Sequence, residues 1–236
     1  LYDDRHLQEE NLGFAQLATR TPNRLLKVAR MIHCEHPTRD ARMKFCSNCG
    51  HAVVLRIPEG DSRPRHVCDN CDTIHYVNPR NVVGTVPVWE DKVLLCRRAI
   101  EPRYGYWTLP AGFMEIGETT AEGASRETLE EAGARVTVGE LFTIMNVPHV
   151  HQVHLFYLAQ LNDLDIAAGE ESLEVRLFDE EDIPWGQMAF PTVIHTLRFF
   201  FEDRDAGRID QGTFRLHTMD IEKPLQPLGL DGHSLS

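Results

Sequence analysis

The sequence predicts an α/β (α+β) chain, a mixed sheet sandwiched between helices with a small cysteine-bearing module in front of it. Three observations lead there. Cys46-Ser47-Asn48-Cys49 and Cys68-Asp69-Asn70-Cys71 are two C-x2-C pairs with 18 residues between them. Short extended runs precede and follow one strongly helical stretch that stops at Gly133, and a second helical stretch opens at Pro191. A single strong helix set among many strands does not read as a regular βαβ array, so helices are expected on both faces of one mixed sheet.

The elements follow in order. Residues 1–41 form an N-terminal extension, partly helical through Leu7, Leu12, Phe14, Leu17, Leu25, Leu26 and Val28, and interrupted at Thr21-Pro22-Asn23. Residues 42–78 hold the cysteine pairs between turn-forming residues. Residues 79–207 form the main domain. Asn81 to Pro87 and Lys92 to Arg97 read as strands around a Trp89-Glu90-Asp91 turn, and Trp107-Thr108-Leu109 as a short strand ending at Pro110. Thr119 or Thr120 caps a helix running to about Ala132, with Gly133 where a helix stop belongs. Strands follow at Val136–Val147, Val153–Ala159 and Leu173–Phe178, and a last helix from Pro191 to about Asp205. Residues 208–236 read as a short strand and a tail.

Composition narrows the function classes. With 236 residues there is room for one full domain and a small second one. No apolar run approaches the ~20 residues of a membrane span, and the first residues lack a charged-then-apolar export pattern. Asp3, Asp4, Glu9 and Glu10 argue against an acid-poor transit peptide, so a cytoplasmic location without a membrane partner is expected. The formal charge of -12 argues against a general nucleic-acid binder. It suits a nucleotide enzyme if the acids gather around bound cations.

In a reducing compartment, two doubled cysteine pairs ask for a metal. Each knuckle turns two thiolates toward one ion, so Cys46, Cys49, Cys68 and Cys71 complete a tetrahedral zinc site. With all four positions filled by protein, the zinc is structural and replaces a core that so short a segment cannot build. Arg63, Arg65 and His66 between the knuckles make an RNA-binding ribbon a minority reading, since no aromatic stacking cluster accompanies them. Cys34, His33 and His36 imitate a metal cluster but are read as incidental neighbours. His149, His151 and His154 do not share one face of a strand and are assigned no metal.

The helix before Gly133 carries the chemistry. Glu127 and Glu131 are four residues apart and share a face, with Glu130 beside them. Like charges at that spacing oppose the helix, so three acids in one turn ask for a cation. Carboxylate oxygens with room for water suit Mg²⁺ or Mn²⁺ rather than zinc. A solvated acidic face explains many isolated Glu-Glu pairs. Here the acids follow a glycine-bounded loop and Arg126 directly precedes them.

The stretch from Gly112 through Glu118, Arg126, Glu127, Glu130, Glu131 and Gly133 resembles the Nudix signature G-x5-E-x7-R-E-U-x-E-E-x-G-U. Thr128 and Ala134 stand at the two aliphatic U positions, a departure that concerns packing. The resemblance implies a Nudix α/β/α sandwich and hydrolysis of a nucleotide diphosphate bond. It implies Glu127 and Glu131 as main Mg²⁺ or Mn²⁺ ligands, with Glu130 joining and the Ala111 carbonyl as a further ligand. Arg126 should orient Glu127, and Glu118 should brace the loop or help bind an ion. Family members place the general base either in the box or on a distant loop. Of Glu170, Glu171 and Glu174 on that loop, Glu171 is the chosen ligand or base.

A zinc ribbon in front of such a domain resembles the NADH pyrophosphatase branch, over roughly residues 42–207. That branch carries an S-Q-P-W-P-F-P element, of which Gly186–Thr192 keeps only Gln187, Phe190 and Pro191. Asn78-Pro79, the run Leu94 to Arg98 and Glu171-Ser172-Leu173-Glu174 are similar to the subgroup related to plant plastid FAD pyrophosphatase. Pro148 resembles a proline of ADP-ribose pyrophosphatases. FAD or ADP-ribose is therefore the expected substrate, giving AMP plus FMN or ribose 5-phosphate, with NADH second and an RNA cap as a further alternative. Arg97 and Arg98 are candidates to meet a phosphate, and Phe190, Trp107 and Tyr106 to stack a base. Relatives suggest a homodimer. A nucleotide sensor is the rival without catalysis, although sensors tend to lose box acids that are all present here.

Overall fold

The computed structural model describes residues 43–222. The helical extension expected over 1–41, the Cys34 cluster and residues 223–236 lie outside them.

Three short strands, β1 (Val54–Arg56), β2 (Arg65–Val67) and β3 (Ile74–His75), pair antiparallel in the order β1-β2-β3. An eight-stranded sheet follows. Its strands are β4 (Arg80–Trp89), β5 (Lys92–Arg98), β6 (Trp107–Thr108), β7 (Ala111–Phe113), β8 (Val136–Val147), β9 (Gln152–Leu161), β10 (Ser172–Phe178) and β11 (His217–Asp220). Helix α1 spans Thr120–Ala132 and α2 spans Pro191–Asp205. The main path runs β10-β5-β4-β9-β8-β11, with β6 on β5 and β7 on β4. The sheet is mixed: β4 runs parallel to β9 and β11 parallel to β8, while the other pairs are antiparallel.

Alternation along β4 shows how the layers form. Consecutive strand residues point to opposite faces. Thr85 meets Thr128 of α1, whereas Val86 joins the core containing Val193, Leu197 and Phe200 of α2. The two helices thus cover opposite faces of one sheet. The larger core lies under α2, with Trp107, Phe142, Phe156 and Phe178. A smaller one under α1 holds Leu94, Cys96, Ala132, Ala134 and Leu161.

Helix α1 starts at Thr119, whose side chain accepts from the Glu122 N–H while Glu122 reaches back to the Thr119 N–H. It stops at Gly133, whose φ of 61° is left-handed backbone, and the Gly133 N–H donates to the Leu129 carbonyl. Helix α2 keeps the bounds expected of it, with Pro191 at its first turn. Strand β7 was not expected, because three residues with a central glycine carry no strand pattern. Pairing with β4 (Val82 with Phe113, Gly84 with Ala111) makes it a strand all the same.

The strand after Gly207 becomes β11, held from outside the sheet. Asp203 on α2 is 2% exposed; it accepts from Arg208 Nε at 2.8 Å and meets His217 Nε2 at 3.0 Å. The His217 ring stacks on Phe199 at 4.3 Å. A buried carboxylate must be paired, and this pairing fixes where β11 begins.

Thr128 stands where the signature asks for an aliphatic residue, and it is fully buried. Its hydroxyl donates to the Ala124 carbonyl at 2.7 Å, so the 2.6 Å contact with Thr85 must have Thr85 as donor. The departure at 128 is thus matched by a second hydroxyl at 85. Thr128→Val alone strands the Thr85 donor and should cost ~1–3 kcal/mol in urea unfolding. Thr85→Val/Thr128→Val should recover most of that loss, and strictly additive costs would show that the pair is not coupled.

Candidate active site and zinc centre

The acids of α1 face β7 because glycine lets the two approach. A Cβ on Gly112 would lie 2.3 Å from Glu127 Oε2, so any side chain there would push the carboxylate out of its place. One turn later Glu131 accepts the Ala111 N–H at 3.1 Å. Glu127 and Glu131 therefore both turn toward the sheet, while Glu130 stays exposed at the rim.

Arg126 ties these parts together. Its Nη1 donates to Glu127 at 2.7 Å and to Glu130 at 3.0 Å. Nε and Nη2 reach the two oxygens of Glu118 at 3.0 and 2.8 Å, and Nη2 also reaches the Phe113 carbonyl at 3.1 Å. Glu118 in turn accepts the Glu115 N–H at 2.6 Å, which braces the loop. The Arg126 guanidinium holds the Glu118 carboxyl down at about 2.

Burial acts in the opposite sense on the acids next to the sheet. It pushes Glu131 up to about 8, against the Ala111 N–H and helped by the Glu127 charge. It also raises Glu127, against the Arg126 hydrogen bond. Two carboxylates whose ionised forms are disfavoured as they stand are what a cation-binding pair of oxygens should look like. Among the described residues these acids do not close into a tight set; only the four cysteines do.

The loop after β9 brings in Glu171. Ala167 N–H donates to the Ala132 carbonyl at 2.9 Å and Gly169 N–H to the Glu131 carbonyl at 3.1 Å, so the loop docks on the end of α1. A Cβ on Gly169 would meet the Glu130 carbonyl at 1.8 Å. Glu171 then bonds through its carbonyl to the Ala99 N–H at 2.8 Å, and its charge acts on Glu127, Glu131 and Arg98. Glu170 and Glu171 are both exposed, and Glu174 pairs instead with Arg97.

The two arginines part company, as neighbours on a strand must. Arg98 shares a face with Leu94 and Cys96, is 9% exposed, and lies over the Phe190 ring at 5.1 Å. Its Nε donates to the Pro102 carbonyl at 2.9 Å. Arg97 points the other way, with Nε on the Gly105 carbonyl at 3.0 Å and Nη1 3.7 Å from Glu174. Arg98 is brought to the acids' side and Arg97 is not, while Phe190 packs against the larger core with Arg98 over its ring. Trp107 is buried in the larger core, whereas Tyr106 is 37% exposed.

His149 falls in a short 3-10 turn opened by Pro148, and His151 takes a left-handed φ of 56°. His154 lies on β9 beside Gln152 at 2.9 Å, and burial lowers its pKa to about 4. A surface cavity of about 640 Å³ lined by Asp91, Asp179, Glu180, Trp185 and Arg204 lies at the Lys92 end of β5, away from Arg98. Its one lining cation, Arg204, is spent on Glu180 at 2.6 Å, and Asp179 is taken by Lys92.

In the ribbon, Cys46, Cys49, Cys68 and Cys71 place their sulfurs within 4.8 Å of one another. Cys46 and Cys71 are 3.6 Å apart, and Cys49 and Cys68 3.4 Å. A tetrahedron of Zn–S bonds of about 2.3 Å has an edge of about 3.8 Å, so the cluster fits zinc closely. Sequence reasoning missed two residues here. His75 Nε2 lies 3.3 Å from Cys46 Sγ, and the Thr73 hydroxyl 3.1 Å from Cys71. Gly169 was missed as well, since no local pattern marks a glycine whose clash is with a distant helix.

A mixed sheet between two helices, with an acidic helix seated on a glycine strand and a four-cysteine ribbon before it, defines a two-part protein with two candidate metal sites. Residues 44–77 match the family model described as Nudix N-terminal and residues 78–199 the NUDIX domain, so the chain belongs to the Nudix family. The chain is similar to a NUDIX hydrolase from Nitrosomonas europaea of known crystal structure, at 54% identity and a TM-score of 0.71. That match covers 76% of this chain and 100% of that one. It is 30% identical over 175 residues to the NAD-capped RNA hydrolase NudC of Photobacterium profundum, covering 72% of this chain and 59% of that relative. It is 29% identical over 113 residues to an ADP-ribose pyrophosphatase of Methanocaldococcus jannaschii, covering 46% of this chain and 67% of that one. Among the described residues no helix is long and apolar enough to cross a membrane.

Two consequences can be measured on the fold itself. An acid whose pKa rises from 4.5 to about 8 on folding destabilises the fold progressively as pH climbs between those values, and fully above about 8. In magnesium- and manganese-free buffer, Glu131→Gln should therefore be more stable than wild type at pH 8–9, by on the order of 3 kcal/mol. The two should converge near pH 5; a gap that does not change with pH would refute the linkage. Separately, Gly169→Ala should cost ~2 kcal/mol or more in urea unfolding and raise amide exchange at Ala167 and Gly169. Wild-type protection at those amides would show that the loop is not docked as described.

Proposed function

We propose that the chain hydrolyses the diphosphate bond of a nucleoside diphosphate derivative, with FAD or ADP-ribose as preferred substrate. The products are AMP plus FMN or ribose 5-phosphate. One observation carries this reading: Glu127 and Glu131 are held against Gly112 and Ala111, with Glu130 and Glu171 beside them. Oxygen donors in that number, two of them partly or fully buried and disfavoured as bare charges and two exposed at the rim, fit Mg²⁺ or Mn²⁺.

Glu127 and Glu131 would hold the ions, with Glu130 and the Ala111 carbonyl as further ligands. Bound there, Mg²⁺ or Mn²⁺ supplies neutralisation of the diphosphate and a water acidic enough to act as nucleophile. Arg126 keeps Glu127 in place through its 2.7 Å bond. Glu171 takes the proton of the attacking water. Arg98, on the acids' side, meets a phosphate oxygen, and the Phe190 ring under it offers a flat surface to a base. Arg97 serves the β5–β10 pairing through Glu174 rather than the substrate.

A second reading, NADH or an NAD-capped RNA as substrate, is favoured by the relatives named NAD-capped RNA hydrolase. The ribbon does not add an electrostatic grip on RNA. Its four cations (Lys44, Arg56, Arg63, Arg65) are balanced by four acids (Glu59, Asp61, Asp69, Asp72) over residues 44–77. Two of those cations are already paired, Arg56 with Asp69 at 3.1 Å and Arg65 with Asp61 at 2.9 Å.

AMP release from FAD, ADP-ribose, NADH and an NAD-capped oligonucleotide, with Mg²⁺ or Mn²⁺, decides between these readings. ADP-ribose or FAD should lead, and Glu131→Gln should reduce release more than about 100-fold, since even an outer partner of a metal site is worth 10–100-fold. A wild-type protein that binds a dinucleotide tightly yet releases nothing from any of the four would be a sensor instead.

A further inference from the structure

The zinc centre has a fifth participant. Cys46 is 3% exposed, so its sulfur is cut off from most of the water that would solvate a thiolate. Cys68 is buried as well, at 0% exposure, whereas Cys49 and Cys71 are less buried. Around those two sulfurs stand the exposed Asn70 Nδ2 at 3.7 Å from Cys49 and Asn48 Nδ2 at 3.7 Å from Cys71, with the half-buried Thr73 hydroxyl at 3.1 Å from Cys71. At Cys46 the partners are the Asn48 backbone N–H at 3.4 Å and His75 Nε2 at 3.3 Å. His75 is itself buried, at 9% exposure, and it comes from β3 rather than from either knuckle.

A metal-bound thiolate has no proton to give. The 3.3 Å contact is therefore a hydrogen bond only if His75 carries its proton on Nε2 and donates it to sulfur. Four thiolates and one Zn²⁺ leave two net negative charges in a ribbon whose side-chain charges otherwise cancel. A buried donor aimed at one of the two buried sulfurs is where that excess can be relieved. The same bond ties the first knuckle to β3, some 29 residues along the chain.

We propose that His75 is a positioning residue of the zinc centre: its Nε2–H donates to the Cys46 thiolate, stabilises the zinc-bound form and slows loss of the ion. The proposal rests on zinc occupying the four cysteines, which elemental analysis of the wild-type protein tests by itself. It is independent of the hydrolase reading.

The test uses the whole chain and two substitutions, His75→Phe, which keeps a flat ring without a donor, and His75→Gln, which keeps an N–H. Zinc transfer to a chromogenic chelator should be on the order of 10-fold faster in His75→Phe than in wild type, with His75→Gln in between. In the Co²⁺-loaded proteins, the sulfur-to-metal charge-transfer band should move to longer wavelength in His75→Phe, because a thiolate without its hydrogen bond gives up electron density more easily. A purely structural role would not move that band. If His75→Phe does not fold, the same two readouts on His75→Gln decide, with a smaller shift in the same direction expected. Transfer rates and Co²⁺ spectra unchanged from wild type overturn the proposal.

Discussion

The close seat of α1 on β7 is the constraint from which the rest of the site follows. Gly112 shapes it by having no side chain: the Glu127 carboxylate occupies the space a Cβ would fill. The contact brings Glu131 within reach of the Ala111 N–H and leaves Arg126 at the edge of the interface. From there its guanidinium reaches Glu118, Glu127, Glu130 and the Phe113 carbonyl. One cation thus holds three acids and the loop in a single arrangement. The arrangement is costly in itself, since burial raises both inner carboxylates. Stability is surrendered where function needs charge.

Much of this was legible in the sequence, and the reason is locality. Thr119, Glu122 and Gly133 act within their own turns, so the bounds of α1 could be read from neighbouring residues. The i,i+4 relation of Glu127 and Glu131 is a property of any helix, and the doubled cysteine pairs carry their geometry in their spacing. What could not be read was contact between segments far apart in the chain. Strand β7 exists because β4 pairs with it, although its own residues say loop. Gly169 is required by the Glu130 carbonyl, and nothing near residue 169 announces that. His75 is one histidine among several until the fold sets it against Cys46.

The arginine pair shows a middle case. That Arg97 and Arg98 diverge follows from strand alternation, so the sequence already required that one of them leave the site. Which one depended on the face that α1 covers, and the register of β10 on β5 decided it by placing Glu174 against Arg97. The charge of -12 resolves in the same way. Acids outnumber cations at the box, whereas pairs such as Lys92–Asp179 and Arg135–Asp163 cancel and add nothing to the sum. The sum alone would have pointed away from phosphate.

The last strand has a consequence for how the chain is made. Strand β11 pairs with β8 across 74 residues, Asp220 lying opposite Asn146. Until the stretch through Asp220 has left the ribosome, β8 presents an open edge of free N–H and carbonyl groups, a template for the wrong partner. The anchor that recruits β11, Asp203 with Arg208 and His217, is also assembled only then. Covering of the β8 edge thus waits until residue 220 has been made. A nascent chain stalled before His217 would carry every acid of the box and still expose an unpaired edge.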